Sequence, residues 1–90
     1  MRFEWDEAKR RSNIAKHGID FVRASLVFDG RPYLELDSPR RREKRFLRVA
    51  ELDGRLIAVA WTPRGKGTVR IISARRARNE EEGAYRQLYG

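Results

Sequence analysis

Ninety residues allow one hydrophobic core and no second, so positions 1–90 read as a single domain. The lack of cysteine excludes a disulfide framework or a thiolate metal site, and a lone histidine all but excludes structural zinc. A net charge of +8, from 21 Lys and Arg against 13 Asp and Glu, points instead to a polyanion: nucleic acid, an anionic membrane or an acidic protein.

No stretch approaches the roughly 18–20 uninterrupted apolar residues of a membrane span. Met1-Arg2-Phe3-Glu4-Trp5 also lacks the apolar segment of a signal peptide. The expected location is the cytoplasm, with no membrane partner. Arginine far outnumbers lysine. Guanidinium suits bidentate contacts with phosphate, although a GC-rich coding sequence produces the same bias.

In chain order, Phe3-Glu4-Trp5 alternates apolar and polar residues and predicts a short strand. Asp6 is placed to cap a helix from Glu7 to Lys16, with Glu7 in the first turn and His17-Gly18 as the stop. Asp20 caps a second helix, Phe21 to about Phe28, whose Phe21, Ala24, Ser25 and Phe28 share one face. After the break at Asp29-Gly30-Arg31-Pro32, Tyr33 to Leu36 predicts a short edge strand. Asp37 to Arg42, with Ser38-Pro39 and three consecutive arginines, predicts a mobile basic loop.

Arg45 to Glu51 alternates and predicts a strand, and Asp53-Gly54 is a strong hairpin signal. The apolar run Leu56 to Trp61 suits a central strand buried on both faces. Thr62 to Gly67 predicts a turn, Thr68 to Arg75 the last strand, and Asn79 the cap of a final helix opening with three glutamates. The expected architecture is α+β: an antiparallel sheet of about four strands, two N-terminal helices and one C-terminal helix. With the helices on one face, the other face is left open for function.

Strict alternation in the last strand puts Val69, Ile71, Ser73 and Arg75 on one face and Arg70, Ile72, Ala74 and Arg76 on the other. Each face then carries an arginine among apolar neighbours. Such a guanidinium needs an anion, either an internal carboxylate (Glu51 or Glu82) or a phosphate. His17 is the only imidazole, the side-chain type suited to moving protons near neutral pH. It is either a helix C-terminal residue held by the dipole or a general acid–base. RNA cleavage without metal needs proton carriers and cations around the phosphorane. Lys16, His17, Glu51 and Tyr85 are candidate carriers, and the residues alone do not choose among them.

Two blocks carry a family resemblance. The first comprises Phe3-Glu4-Trp5-Asp6-Glu7-Ala8-Lys9, Asn13, Lys16-His17-Gly18, Phe21, Ala24 and Val27-Phe28; the second is Arg70-Ile71-Ile72-Ser73-Ala74-Arg75-Arg76-Ala77 with Glu81 and Tyr85. Together they resemble the BrnT toxin family across nearly the whole chain. The resemblance implies a RelE-like fold and a metal-independent, cofactor-free endoribonuclease of a type II toxin–antitoxin module, cutting mRNA to inhibit translation. It also implies a BrnA-type antitoxin that silences the toxin and supplies any contact with DNA. The roles expected are Arg70 and Arg75 as transition-state clamps and His17 or Lys16 as proton carrier or phosphate ligand. Arg76, Arg78 and Tyr85 are expected to bind RNA, Tyr85 by stacking or positioning. Rival readings are a non-catalytic nucleic-acid-binding module and a protein-interaction module.

Overall fold

Leu56 to Trp61 lies at the heart of a five-stranded sheet in the computed structural model, which describes all 90 residues. The run belongs to β4 (Arg55–Arg64), flanked by β5 (Thr68–Arg76) and β3 (Phe46–Leu52). β2 (Tyr33–Asp37) forms the far edge, as its short alternating sequence implies. These four strands are an antiparallel meander. The expectation of about four antiparallel strands needs one correction. β1 (Arg2–Glu4) joins as a fifth strand, parallel to β5 through the register Arg2↔Thr68 to Glu4↔Arg70.

Asp53-Gly54 makes the tight turn between β3 and β4, with φ of 52° and 82° at its two residues. Both angles are positive, as a type I′ turn requires. The turn expected over Thr62 to Gly67 is shorter, because Thr62, Pro63 and Arg64 continue β4 and pair with Arg70, Val69 and Thr68.

Helix α1 (Glu7–His17) starts where Asp6 accepts a hydrogen bond from Lys9 N–H at 3.0 Å. It ends where Gly18, at φ 70°, donates its N–H to Ile14. Arg10 bridges Glu7 and the Asp20 cap of α2 (Phe21–Ala24), fastening the two helices together. The second helix differs from expectation. After one α turn it continues as a 3₁₀ turn over Ser25–Phe28. A 3₁₀ turn has three residues per repeat, so Phe21, Ala24 and Val27 are fully buried in place of the α-spaced set ending at Phe28.

The helices do not share one face. Phe21, Ala24 and Val27 pack on Ala50, Ile57, Val59, Ile71 and Ala74. α3 (Asn79–Tyr89) covers β2 and β3 on the opposite side, where Tyr85 joins Val49, Leu56 and Ala58. Complete burial of a residue such as Phe21 or Val59 contributes about 1.5–3 kcal/mol. Two modest cores thus replace the single covered face that the sequence predicts. The α3 cap is Arg78, one residue before the expected Asn79, and its N–H donates to Glu81 at 2.8 Å.

The basic loop expected over Asp37 to Arg42 forms part of the hairpin tip that joins β2 to β3. Ser38 N–H donates to Arg45 O at 2.9 Å, and Arg40 and Glu43 exchange backbone hydrogen bonds.

Candidate functional site

The arginines of β5 separate according to one irregularity. The β4–β5 register shifts at Ala60/Trp61: Ala60 pairs with Ser73 and Trp61 with Ile71, so Ile72 is left opposite no residue. A bulge of this kind inverts the alternation beyond it. Arg70, Ser73 and Arg75 therefore face the α3 side, whereas Ile71, Ala74 and Arg76 face α1 and α2. The strict alternation expected from sequence fails at this point.

Arg75 is held. Its Nη1 and Nη2 donate to the two carboxylate oxygens of Glu81, each at 2.9 Å. The Glu81 side chain is only 9% exposed, and the facing guanidinium pulls its carboxyl below the ordinary value. The same pairing raises Arg75. Arg70 donates to Glu4 at 2.8 Å across the β1–β5 pair. Both arginines have internal carboxylates, supplied by Glu81 and Glu4 in place of the expected Glu51 or Glu82. Tyr85 is buried in the α3 core, which leaves its ring almost no surface on which a nucleobase could stack. Arg78 is exposed at the start of α3.

His17 lies on the other side, and a buried side chain sets its place. Asn13 Nδ2 donates to Ala74 O at 2.8 Å and to Ile19 O at 2.9 Å, while Ala74 N–H donates to Asn13 Oδ1 at 3.1 Å. The amide completes the β5 edge beyond the reach of β1, as a neighbouring strand would. This clamp brings the last turn of α1 against the end of β5. A cleft of about 210 Å³ opens there, lined by His17, Asp20, Arg23, Asp53, Arg55 and Arg76 among others. Arg23 is paired with Asp53 at 2.5 Å. Arg55 and Arg76 are exposed and meet no carboxylate.

His17 also borders a shallower groove with Lys9, Lys16 and Ile72. His17 thus borders two hollows, one shared with Arg76 and the other with Lys16. Of the residues expected to act together, the structure gathers Lys16, His17 and Arg76, and separates them from Arg70 and Arg75. Glu51 and Tyr85 border a different surface hollow. Sequence reasoning missed Arg23 and Arg55. The position of Arg55 immediately after a tight hairpin was the one available signal, because such a turn projects its flanking residue beside the neighbouring strand end.

The cleft thus sets the imidazole beside Arg55 and Arg76, with Asp20 and Asp53 also in its lining, on an α+β domain with a five-stranded mixed sheet. Residues 5–81 match the model of a family described as "Ribonuclease toxin, BrnT, of type II toxin-antitoxin system". The chain belongs to that family. Among solved structures it is similar to the Brucella abortus ribonuclease toxin BrnT, with 37% sequence identity and a TM-score of 0.70. That match covers 88% of this chain and 99% of the Brucella chain. No curated protein matches.

Proposed function

We propose that this toxin is a metal-independent endoribonuclease that cuts mRNA to inhibit translation, works at the His17–Arg76 cleft, and is silenced in the cytoplasm by a BrnA-type antitoxin. The observation that carries the reading is the cleft itself: the only imidazole of the chain shares it with Arg55 and Arg76, which form no ion pair, while the two aspartates of the lining, Asp20 and Asp53, are paired with Arg10 and Arg23. Family membership supplies the substrate class.

Cleavage begins when the RNA 2′-hydroxyl loses its proton and its oxygen attacks the adjacent phosphorus. The new O2′–P bond forms as the P–O5′ bond breaks, and the departing 5′-oxygen takes up a proton. His17 serves as proton carrier and Lys16 as the second carrier or a phosphate ligand. Arg76 and Arg55 meet the charge that builds on the non-bridging oxygens, work that is most effective where donors are already in place. Arg70 and Arg75 serve by holding β1 and α3 on the sheet, and Arg78 contacts the strand outside the cleft.

The test is incubation of purified, antitoxin-free protein with RNA in EDTA. The expected outcome is endonucleolytic cleavage that His17→Ala and Arg76→Ala suppress, together with growth arrest on expression without the antitoxin. RNA that is bound tightly and left intact would instead establish a non-catalytic binding module.

A further inference from the structure

The charge of the domain is concentrated far from the cleft. β4 runs from Arg55 beside the cleft to Arg64, on the order of 30 Å at strand spacing. At its Arg64 end stand the 38–45 hairpin tip, the 65–67 turn and the start of β1. This pole carries eight cations, Arg2, Arg40, Arg41, Arg42, Lys44, Arg45, Arg64 and Lys66, against Asp37 and Glu43, while the Glu4–Arg70 pair at the same end cancels itself.

Glu43 is already committed. It pairs with Arg45 in its own tip and, at 4.0 Å, with Arg64 at the base of the next. The Arg45 hydrogen bond holds the Glu43 carboxyl below its ordinary value. Thr62 Oγ1, buried in β4, donates to Lys44 O at 2.6 Å, and Arg2 N–H donates to Gly67 O at 2.8 Å. These bonds tie both tips and the first strand into one body. Arg2, Arg40, Arg41, Arg42, Lys44 and Lys66 remain exposed and unpaired.

We infer that this pole is a second RNA-docking surface, which grips the phosphate backbone of single-stranded substrate at a distance from the cleft and without reading its sequence. This rests on the ribonuclease reading above. A protein partner generally needs a cluster of apolar anchors at the centre of its interface, and the pole offers only one exposed large apolar side chain, Met1 at the chain end, with none on either hairpin tip. A phosphate chain needs what the pole offers, a cluster of exposed cations that far outnumbers its carboxylates, with Glu43 already paired and Asp37 alone left free. At the root of the tip, the half-buried Phe46 ring has the Lys44 ammonium 5.9 Å from its centroid. RNA cut at the cleft then spans the length of β4, and long substrates gain a contact that short ones lack.

The test uses the triple variant Arg40→Gln/Arg41→Gln/Arg42→Gln and, from the other tip, Lys66→Gln. Each is measured for affinity to a long single-stranded RNA as a function of salt, and for cleavage of that RNA and of a short oligonucleotide confined to the cleft. The slope of log affinity against log salt should fall by about 2 in the triple variant and by about 0.7 for Lys66→Gln. KM for long RNA should rise about tenfold with kcat unchanged, and the short substrate should be cut as before. Circular dichroism and Tm should match the parent. An unchanged salt slope and affinity overturns the inference, as does loss of antitoxin binding with RNA affinity intact. The affinity arm reads the pole even if the parent protein cuts nothing, so failure here and failure of the catalytic reading are distinguishable.

Discussion

Asn13 and Ala74, 61 residues apart in sequence, exchange two hydrogen bonds in which a side-chain amide takes the place of a strand. The exchange closes the sheet edge and holds the end of α1 beside the end of β5. Under the proposed function it couples stability to cleavage, because His17 and Arg76 lie one helical turn and two residues beyond the contact. Asn13→Ala should destabilise the domain by about 2–3 kcal/mol, since the Ala74 donor and acceptor are then buried without partners. Asn13→Asp should rescue only part of this, for a carboxylate accepts from Ala74 N–H but cannot donate to its carbonyl. Denaturant unfolding of the two variants checks both statements.

Gly18 ends α1 at φ 70°, and a Cβ there would meet no atom within 4 Å. Gly18→Ala should therefore cost only backbone strain, about 1–2 kcal/mol. Because strain at that residue tilts the last turn, kcat should fall more than Tm suggests. Steady-state kinetics beside a thermal melt separates the two effects.

Arg75 and Glu81 pin α3 to the sheet. Removing one partner strands the other, so Arg75→Ala should cost about 2–3 kcal/mol. The cleavage rate of the folded fraction should stay near that of the parent, which separates a fastening role from a catalytic one. The pair also sets a pH dependence. Glu81 is held below its ordinary 4.5 in the folded state, so its contribution is complete above about pH 5 and is lost as pH falls through the depressed folded value. Glu81→Gln should be less stable at neutral pH and lose less further stability on acidification. Unfolding free energies measured from neutral to acidic pH check the sign.

Arg48 stacks on Tyr33 and Phe28, 3.7 and 4.2 Å from their centroids, and Nε and Nη2 both donate to Glu35 Oε1. Glu35 Oε2 accepts in turn from Trp61 Nε1 at 2.9 Å. Lysine offers neither the flat face nor the fork, so Arg48→Lys should cost about 2 kcal/mol. The readout is the denaturation midpoint, with Trp61 fluorescence reporting the local change.

Local chemistry made most elements legible. Asp6, Gly18, Asp20 and Asp53-Gly54 mark their caps and turn through bonds made within a few residues. What stayed hidden depends on partners distant in sequence. The pairing of β1 with β5 joins the two ends of the chain, and no local pattern encodes it. The bulge at Ile72 is invisible to a period-two reading and reverses which β5 arginines share a face. Tyr85 reads as a free aromatic until α3 is seen to pack on the second core. His17 and Arg76 were both legible as candidates, but their meeting depends on Asn13, whose part only the fold reveals.

The most direct test of the cleft is single-turnover cleavage of RNA by Arg76→Ala and Arg75→Ala beside the parent, with RNA affinity measured on the same preparations. Loss of a preplaced cation at the transition state should slow Arg76→Ala by about 100-fold or more. Its RNA affinity should change little, and folded Arg75→Ala should cleave at close to the parental rate. Unimpaired cleavage by Arg76→Ala, with Arg75→Ala folded but inactive, would place the chemistry on the α3 face of the sheet and contradict the account.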